Sequence, residues 1–160
     1  MASARRKRGA LLGIGLILLM GSPVIPQSAG RIGSATATIY RDEFGVPHVF
    51  AADLETAAYA VGYAQAEDRL EELLKNYRRA TGTMAEVFGP EFFPQDYVQR
   101  LWRHAEVSRQ NYHRLSPKAR AVIEAFIEGV KAYMREHPEK VPAWALEIQP
   151  WHVVALGRFI

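Results

Sequence analysis

Between Asp53 and Gly82 the chain runs for 28 residues with no proline and a single glycine, Gly62. Asp53 is suited to cap a helix N-terminus, and Glu55 falls in the first turn, where the helix dipole favours a negative charge. Gly82 supplies a residue that tolerates the left-handed conformation closing a helix. The stretch therefore reads as one long helix from Leu54 to about Thr81. Ala57, Ala60, Ala64 and Asp68 follow helical spacing, while Val61, Leu70, Leu73 and Leu74 supply bulk. A mid-helix glycine costs about 1 kcal/mol relative to alanine. Close approach of another element to Gly62 and its small neighbours explains that cost, so the fold must be assembled against this helix.

What flanks the helix fixes the fold class. "ATATIYR", residues 35–41, alternates in the manner of a strand, "DEFG" carries turn residues, and "HVFAA" reads as a return strand behind Pro47. Residues 31–34 read as a lead-in. Two strands alone are marginal in water, and no other strand is evident, so the hairpin needs a sheet from elsewhere. "TMAEVFG" reads as a short helical turn and Pro90 to Pro94 as a loop. A second helix is expected over about Gln95 to Leu115, with Val98, Leu101, Trp102 and Ala105 on one face. Ser116-Pro117 is a cap followed by a first-turn proline, opening a third helix to about Glu136. Pro150 opens a last helix. "ALGRFI" lacks a helix-stop signal, and Ile160 reads as a truncation or processing point. The expected class is α+β, mostly helical, with an N-terminal β-hairpin.

Charge is unevenly placed. Residues 1–30 hold Arg5, Arg6, Lys7 and Arg8 and no acid; the remaining 130 hold 16 basic and 17 acidic side chains, a net of −1. A body near neutrality gives no case for a nucleic-acid partner. The basic run precedes twelve uncharged residues, Ala10 to Gly21, and then Pro23, Pro26 and the small residues Ser28-Ala29-Gly30. That run is shorter than the roughly 20 residues of a membrane span and fits a secretory signal. Residues 1–30 are read as a signal peptide and 31–160 as the exported body, with membrane contact only through the signal. There is no cysteine, which excludes a disulfide, a thiol nucleophile and a cysteine metal site; an exported body without disulfides depends on packing.

The side chains that could carry chemistry do not assemble into a site. His48, His104, His113, His137 and His152 form no metal-binding pair at helical spacing, and no metal ligand is assigned. Glu67, Asp68, Glu71 and Glu72 share one helix with Arg69, Lys75, Arg78 and Arg79, as a solvated, ion-paired face does. Ser34, Ser108 and Ser116 lie in no nucleophile elbow. Asp68-Arg69 and Arg41-Asp42 are suited to pinning the hairpin onto the helix, because arginine pairs rigidly with carboxylates.

"IYRDEFGVPHVFA", "GYAQAEDRLEELLKNYRRATGTMAEVFG", the aspartate ahead of "RLWRHAE", and "LSPKARAVIEAFIEGVKAYM" resemble, in that order, the N-terminal part of the penicillin acylase family. That family includes penicillin, acyl-homoserine-lactone and lipopeptide acylases. The resemblance covers about Ala35 to Ile160. It implies an exported precursor that cleaves itself into a small α chain and a larger β chain, completing a four-layer αββα N-terminal nucleophile hydrolase fold. The β chain's first residue, a serine or less often cysteine or threonine, attacks the amide carbonyl of an N-acylated small molecule, with its own α-amino group as base. No cofactor takes part; a structural calcium, held mostly by β-chain oxygens, is possible.

No catalytic residue carries over to this chain. Arg41, Asp42, Gly45, Pro47, His48, Gly62, Gln65, Asp68 and Arg69 match the family signature and are read as scaffold. Leu156, Arg158 and Phe159 are candidates for the edge of the acyl pocket. The family's usual Trp-x-x-x-Asp ahead of that helix is absent; here Trp151-His152 stands without the aspartate. Two functions remain open: the α-chain region of a self-processing acylase, inert alone, or a truncated, non-catalytic exported helical module that binds a partner.

Overall fold

The computed structural model describes residues 27–32 and 35–160. The signal-peptide reading falls mainly on residues 1–26, outside the described residues. The long helix, α1 (Leu54–Thr81), begins and ends where its caps place it. Asp53 Oδ1 accepts from Thr56 N at 2.7 Å, and Gly82 closes the helix at φ 67°. One departure lies inside: Arg69, at φ −150° and ψ 45°, interrupts the helical backbone.

On one side of α1 lies an antiparallel sheet of three strands, β1 (Gln27–Ile32), β2 (Ala35–Arg41) and β3 (Pro47–Phe50), in that order. In the hairpin Ile39 faces Val49 and Arg41 faces Pro47. Ala37 and Ile39 turn inward onto Ala60 and Ala64 of α1, so the alanine face of the helix serves as the seat for β2. The strand β1 corrects the reading of residues 31 and 32 as part of a lead-in and supplies a further strand where no other was evident; residues 33–34 lie outside the described residues. "QSAGRI" is poor in β-branched and aromatic residues; pairing with β2, irregular between Ala29 and Arg31, defines it.

The opposite side of α1 crosses α5 (Pro117–Glu136). Here the two backbones nearly touch. A Cβ added to Gly62 would fall 2.1 Å from the Phe126 carbonyl oxygen, and one added to Gly129 would fall 2.0 Å from the Tyr59 carbonyl oxygen. The close approach expected at Gly62 is present, and Gly129 is its counterpart. Below the crossing, Leu70, Leu73, Leu74 and Tyr77 of α1 meet Ile127, Val130 and Tyr133 of α5 and Ile148 in the main core. The last helix, α6 (Pro150–Phe159), seals its end. Val61, expected to supply core bulk, is instead 45 % exposed and borders an open cleft beside β3.

Between Gly82 and α5 lie a short α2 (Ala85–Phe88), α3 (Phe93–Trp102) and α4 (His104–Asn111). The single helix expected over Gln95 to Leu115 is broken at Arg103, which takes φ 58° and pairs with Glu106 one turn on. Asp96 is buried and accepts from Met84 N at 3.1 Å and Ala85 N at 2.7 Å, capping α2 from across the loop. Arg100 Nε donates to Gly82 O at 2.7 Å. These bonds turn the polar side of α3 inward. Val98, Leu101 and Trp102, expected on a buried face, are instead exposed.

Candidate functional site

The signature residues gather where the hairpin meets α1. Asp42 organises the turn: its Oδ1 accepts from Phe44 N at 3.0 Å and Val46 N at 2.9 Å, and its Oδ2 lies 3.1 Å from His48 Nε2. The bond to His48, and then that from the Val46 amide, hold the Asp42 carboxyl below the usual carboxylate range. Gly45 takes φ 79°, a value that favours glycine. Pro47 opens β3 opposite Arg41.

Arg41 then reaches from the end of β2 to α1. Its Nη2 lies 2.5 Å from Glu67 Oε2 and 2.8 Å from Asp68 Oδ1, while Nη1 donates to the Gly45 carbonyl at 2.9 Å. One guanidinium thus ties the turn to two consecutive carboxylates of the helix. Those carboxylates raise its pKa further, Glu67 first and then Asp68. Sequence reading assigned Glu67 to a solvated face; its adjacency to Asp68 in "AEDR" is the signal for a two-point clasp. The rest of that face behaves as expected, with Glu71 on Lys75 at 2.7 Å and Glu72 on Arg79 at 2.5 Å.

Beside the clasp, Pro47 and Val49 of β3 and Gln65, Asp68 and Arg69 of α1 border a cleft of about 270 Å³. The interruption at Arg69 lies on its wall. Gly62 belongs to the opposite side of the helix and serves the α5 crossing.

Leu156, Arg158 and Phe159 lie on the last turns of α6, away from this cleft. Leu156 is half-buried against the main core, Phe159 is half-buried and Arg158 is exposed. The start of α6 holds an arrangement that sequence reading missed. His152 is buried, its Nδ1 accepts from Gln149 N at 2.8 Å, and Gln149 completes a reciprocal cap. The ring stacks on Trp151 at 3.8 Å and approaches Tyr77 at 5.7 Å. Burial pushes the imidazole pKa down to about 4, so near neutral pH His152 is an uncharged capping group. His152 thus lies at a helix end yet is buried.

What this arrangement can do chemically is bounded. Among the described residues no serine or threonine hydroxyl bonds to a histidine, Ser116 caps α5 through Ala119 N at 3.2 Å, and Ser108 is buried. Acyl transfer needs a nucleophile with an adjacent base. Among the described residues, too, no three His, Asp or Glu side chains converge to hold a metal, and no helix is long and apolar enough to cross a membrane.

Residues 36–159, from β2 through α6, match the family model for penicillin amidase. The chain belongs to the penicillin amidase family. It is 29% identical over 144 residues to a penicillin acylase 2 proenzyme of Pseudomonas sp. (strain SE83), covering 84% of this chain and 19% of that relative. To a penicillin G acylase of Escherichia coli it is 34% identical over 103 residues, 63% of this chain and 12% of that one. An acyl-homoserine lactone acylase of Pseudomonas putida is 28% identical over 106 residues, 66% of this chain and 13% of its own length. Among solved structures, a thermostable penicillin G acylase from Alcaligenes faecalis superposes with a TM-score of 0.65 at 30% identity, covering 76% of this chain and 70% of that chain. The chain thus spans less than a fifth of the length of these curated amidase relatives. Hairpin, clasp, crossing and α6 all lie inside the matched range.

Proposed function

We infer that this family member is the α-chain region of an exported, self-processing acylase that hydrolyses the amide bond of N-acylated small molecules of the penicillin, acyl-homoserine lactone or lipopeptide type. The observation that carries this reading is the penicillin amidase match over residues 36–159. A relative named as a proenzyme supports self-processing. The small share of each relative that is covered supports a larger chain as the bearer of the nucleophile, an N-terminal serine, cysteine or threonine. There the nucleophile adds to the amide carbonyl and its α-amino group takes the proton. That proton passes to the departing amine, and water then releases the carboxylic acid from the acyl-enzyme. No cofactor is needed for these steps. A structural calcium in the whole enzyme would draw its ligands mostly from outside this chain.

This chain's own part is support. The Arg41 clasp fixes the hairpin on α1, and the end of α6, with Leu156, Arg158 and Phe159, forms one edge of the acyl pocket. Mass spectrometry and N-terminal sequencing of the exported protein from its native host test the reading. The expected result is a chain beginning near Gly30 or Arg31, copurifying with a larger chain that begins with serine, cysteine or threonine and turns over N-acyl amides. A product ending at Ile160 with no companion chain would replace this reading with a non-catalytic exported module.

A further inference from the structure

The helix α3 is amphipathic with its sides reversed. Its polar side, with Asp96 and Arg100, is fastened to the loop after α1. Its outward side carries Phe93, Tyr97 and Leu101, at successive four-residue steps and 62%, 59% and 68% exposed, with Val98 and Trp102 alongside. Residues four apart on a helix stand above one another, so these five form a single apolar stripe. The left-handed Arg103 stops the helix there, and Trp102 remains exposed at the corner. Contiguous exposed apolar surface of this kind marks an interaction site.

Three occupants could cover it. A membrane-surface helix needs a cationic polar face, but α3 carries one arginine, paired with Glu86 at 2.5 Å, and Glu91 lies just ahead of it. A second copy would need about 800 Å² per partner. Ten residues of helix give a stripe only about 15 Å long, short of that area by itself. Within a larger interface already joined by other contacts, the same stripe is sufficient. The curated relatives are five or more times longer than the region matched here.

We propose that the outward face of α3, Phe93, Tyr97, Val98, Leu101 and Trp102, docks into an apolar groove on the remainder of the same acylase precursor, at a contact separate from the Arg41 cleft and from α6. The choice of occupant rests on the acylase reading; the contact itself does not require turnover. The test places a photoreactive benzoylphenylalanine at Tyr97 and, separately, at Leu101 of the full-length protein expressed in its native host, and maps the crosslinks by mass spectrometry. Crosslinks from both positions to sequence beyond residue 160 of the same gene product support the proposal. Crosslinks to a second copy of this region, crosslinks to phospholipid, no crosslink, or a gene product ending at Ile160 each overturn it. In parallel, Leu101→Glu should lower recovery of the assembled protein several-fold while specific activity per assembled particle stays at the wild-type level. Unchanged recovery counts against docking. A wild-type protein inert toward N-acyl amides, yet crosslinked as expected, sinks the acylase reading and leaves the contact standing.

Discussion

The α1–α5 crossing and the α3–α4 corner use the same residue classes at the same helical spacing and end in opposite situations. In the crossing, apolar positions meet one another and two glycines let the backbones approach until a single Cβ has no room. At the corner, an equally regular apolar row faces outward because Asp96 and Arg100 have turned the polar side in. Periodicity defines a face; the hydrogen bonds of the other face decide which way it points.

The contrast breaks first, if it breaks, at the glycines. Gly62→Leu should abolish soluble expression, and Gly129→Ala should cost about 1–3 kcal/mol or more through overpacking. Normal soluble yield and melting midpoint for either variant would remove the close-contact account. Next comes His152, whose folded pKa is near 4 against an ordinary value of 6.5. Between those values the unfolded chain takes up a proton that the folded chain refuses. Stability present above pH 6.5 should therefore fall by on the order of 2–3 kcal/mol as pH drops toward 4. His152→Gln, compared by denaturant titration across that window, should flatten the dependence. Arg41→Met should follow, loosening the hairpin by about 1–2 kcal/mol through loss of charge-assisted bonds. Hydrogen exchange should quicken in β2 and β3 but not in α5; equal quickening everywhere would contradict a local clasp.

Much of this architecture is legible because its signals are local. Asp53 and Gly82 bound α1, Ser116-Pro117 opens α5, and Pro150 opens α6, each through backbone hydrogen bonds that one residue supplies or lacks. The family signature marked the turn, and arginine chemistry pointed to ion pairing between the hairpin and α1 without fixing the partners; Arg41 takes Glu67 and Asp68, while Asp42 turns to His48. The breaks were harder. Arg103 adopts a left-handed conformation with no glycine or asparagine to announce it, and Arg69 lies in an unbroken run of helix formers. Tertiary contacts overrode propensity at both. Gly129 was findable: Ala125, Gly129 and Ala132 repeat on one face of α5 as the small residues of α1 do. His152 was not, because its cap depends on a ring buried between Trp151 and Tyr77.

The interruption at Arg69 falls inside a helix whose two stretches share one neighbour. Ala60 and Ala64, before it, seat the sheet, and Gly62 meets the backbone of α5 there; Leu70, Leu73, Leu74 and Tyr77, after it, pack on α5 again in the main core. A helix propagates cooperatively only while each turn continues the last. A residue outside helical geometry is therefore a natural stop for fraying. Because α5 touches α1 on both sides of that stop, it acts as a splint across the break, and the sheet and the helical core stay fixed to one member.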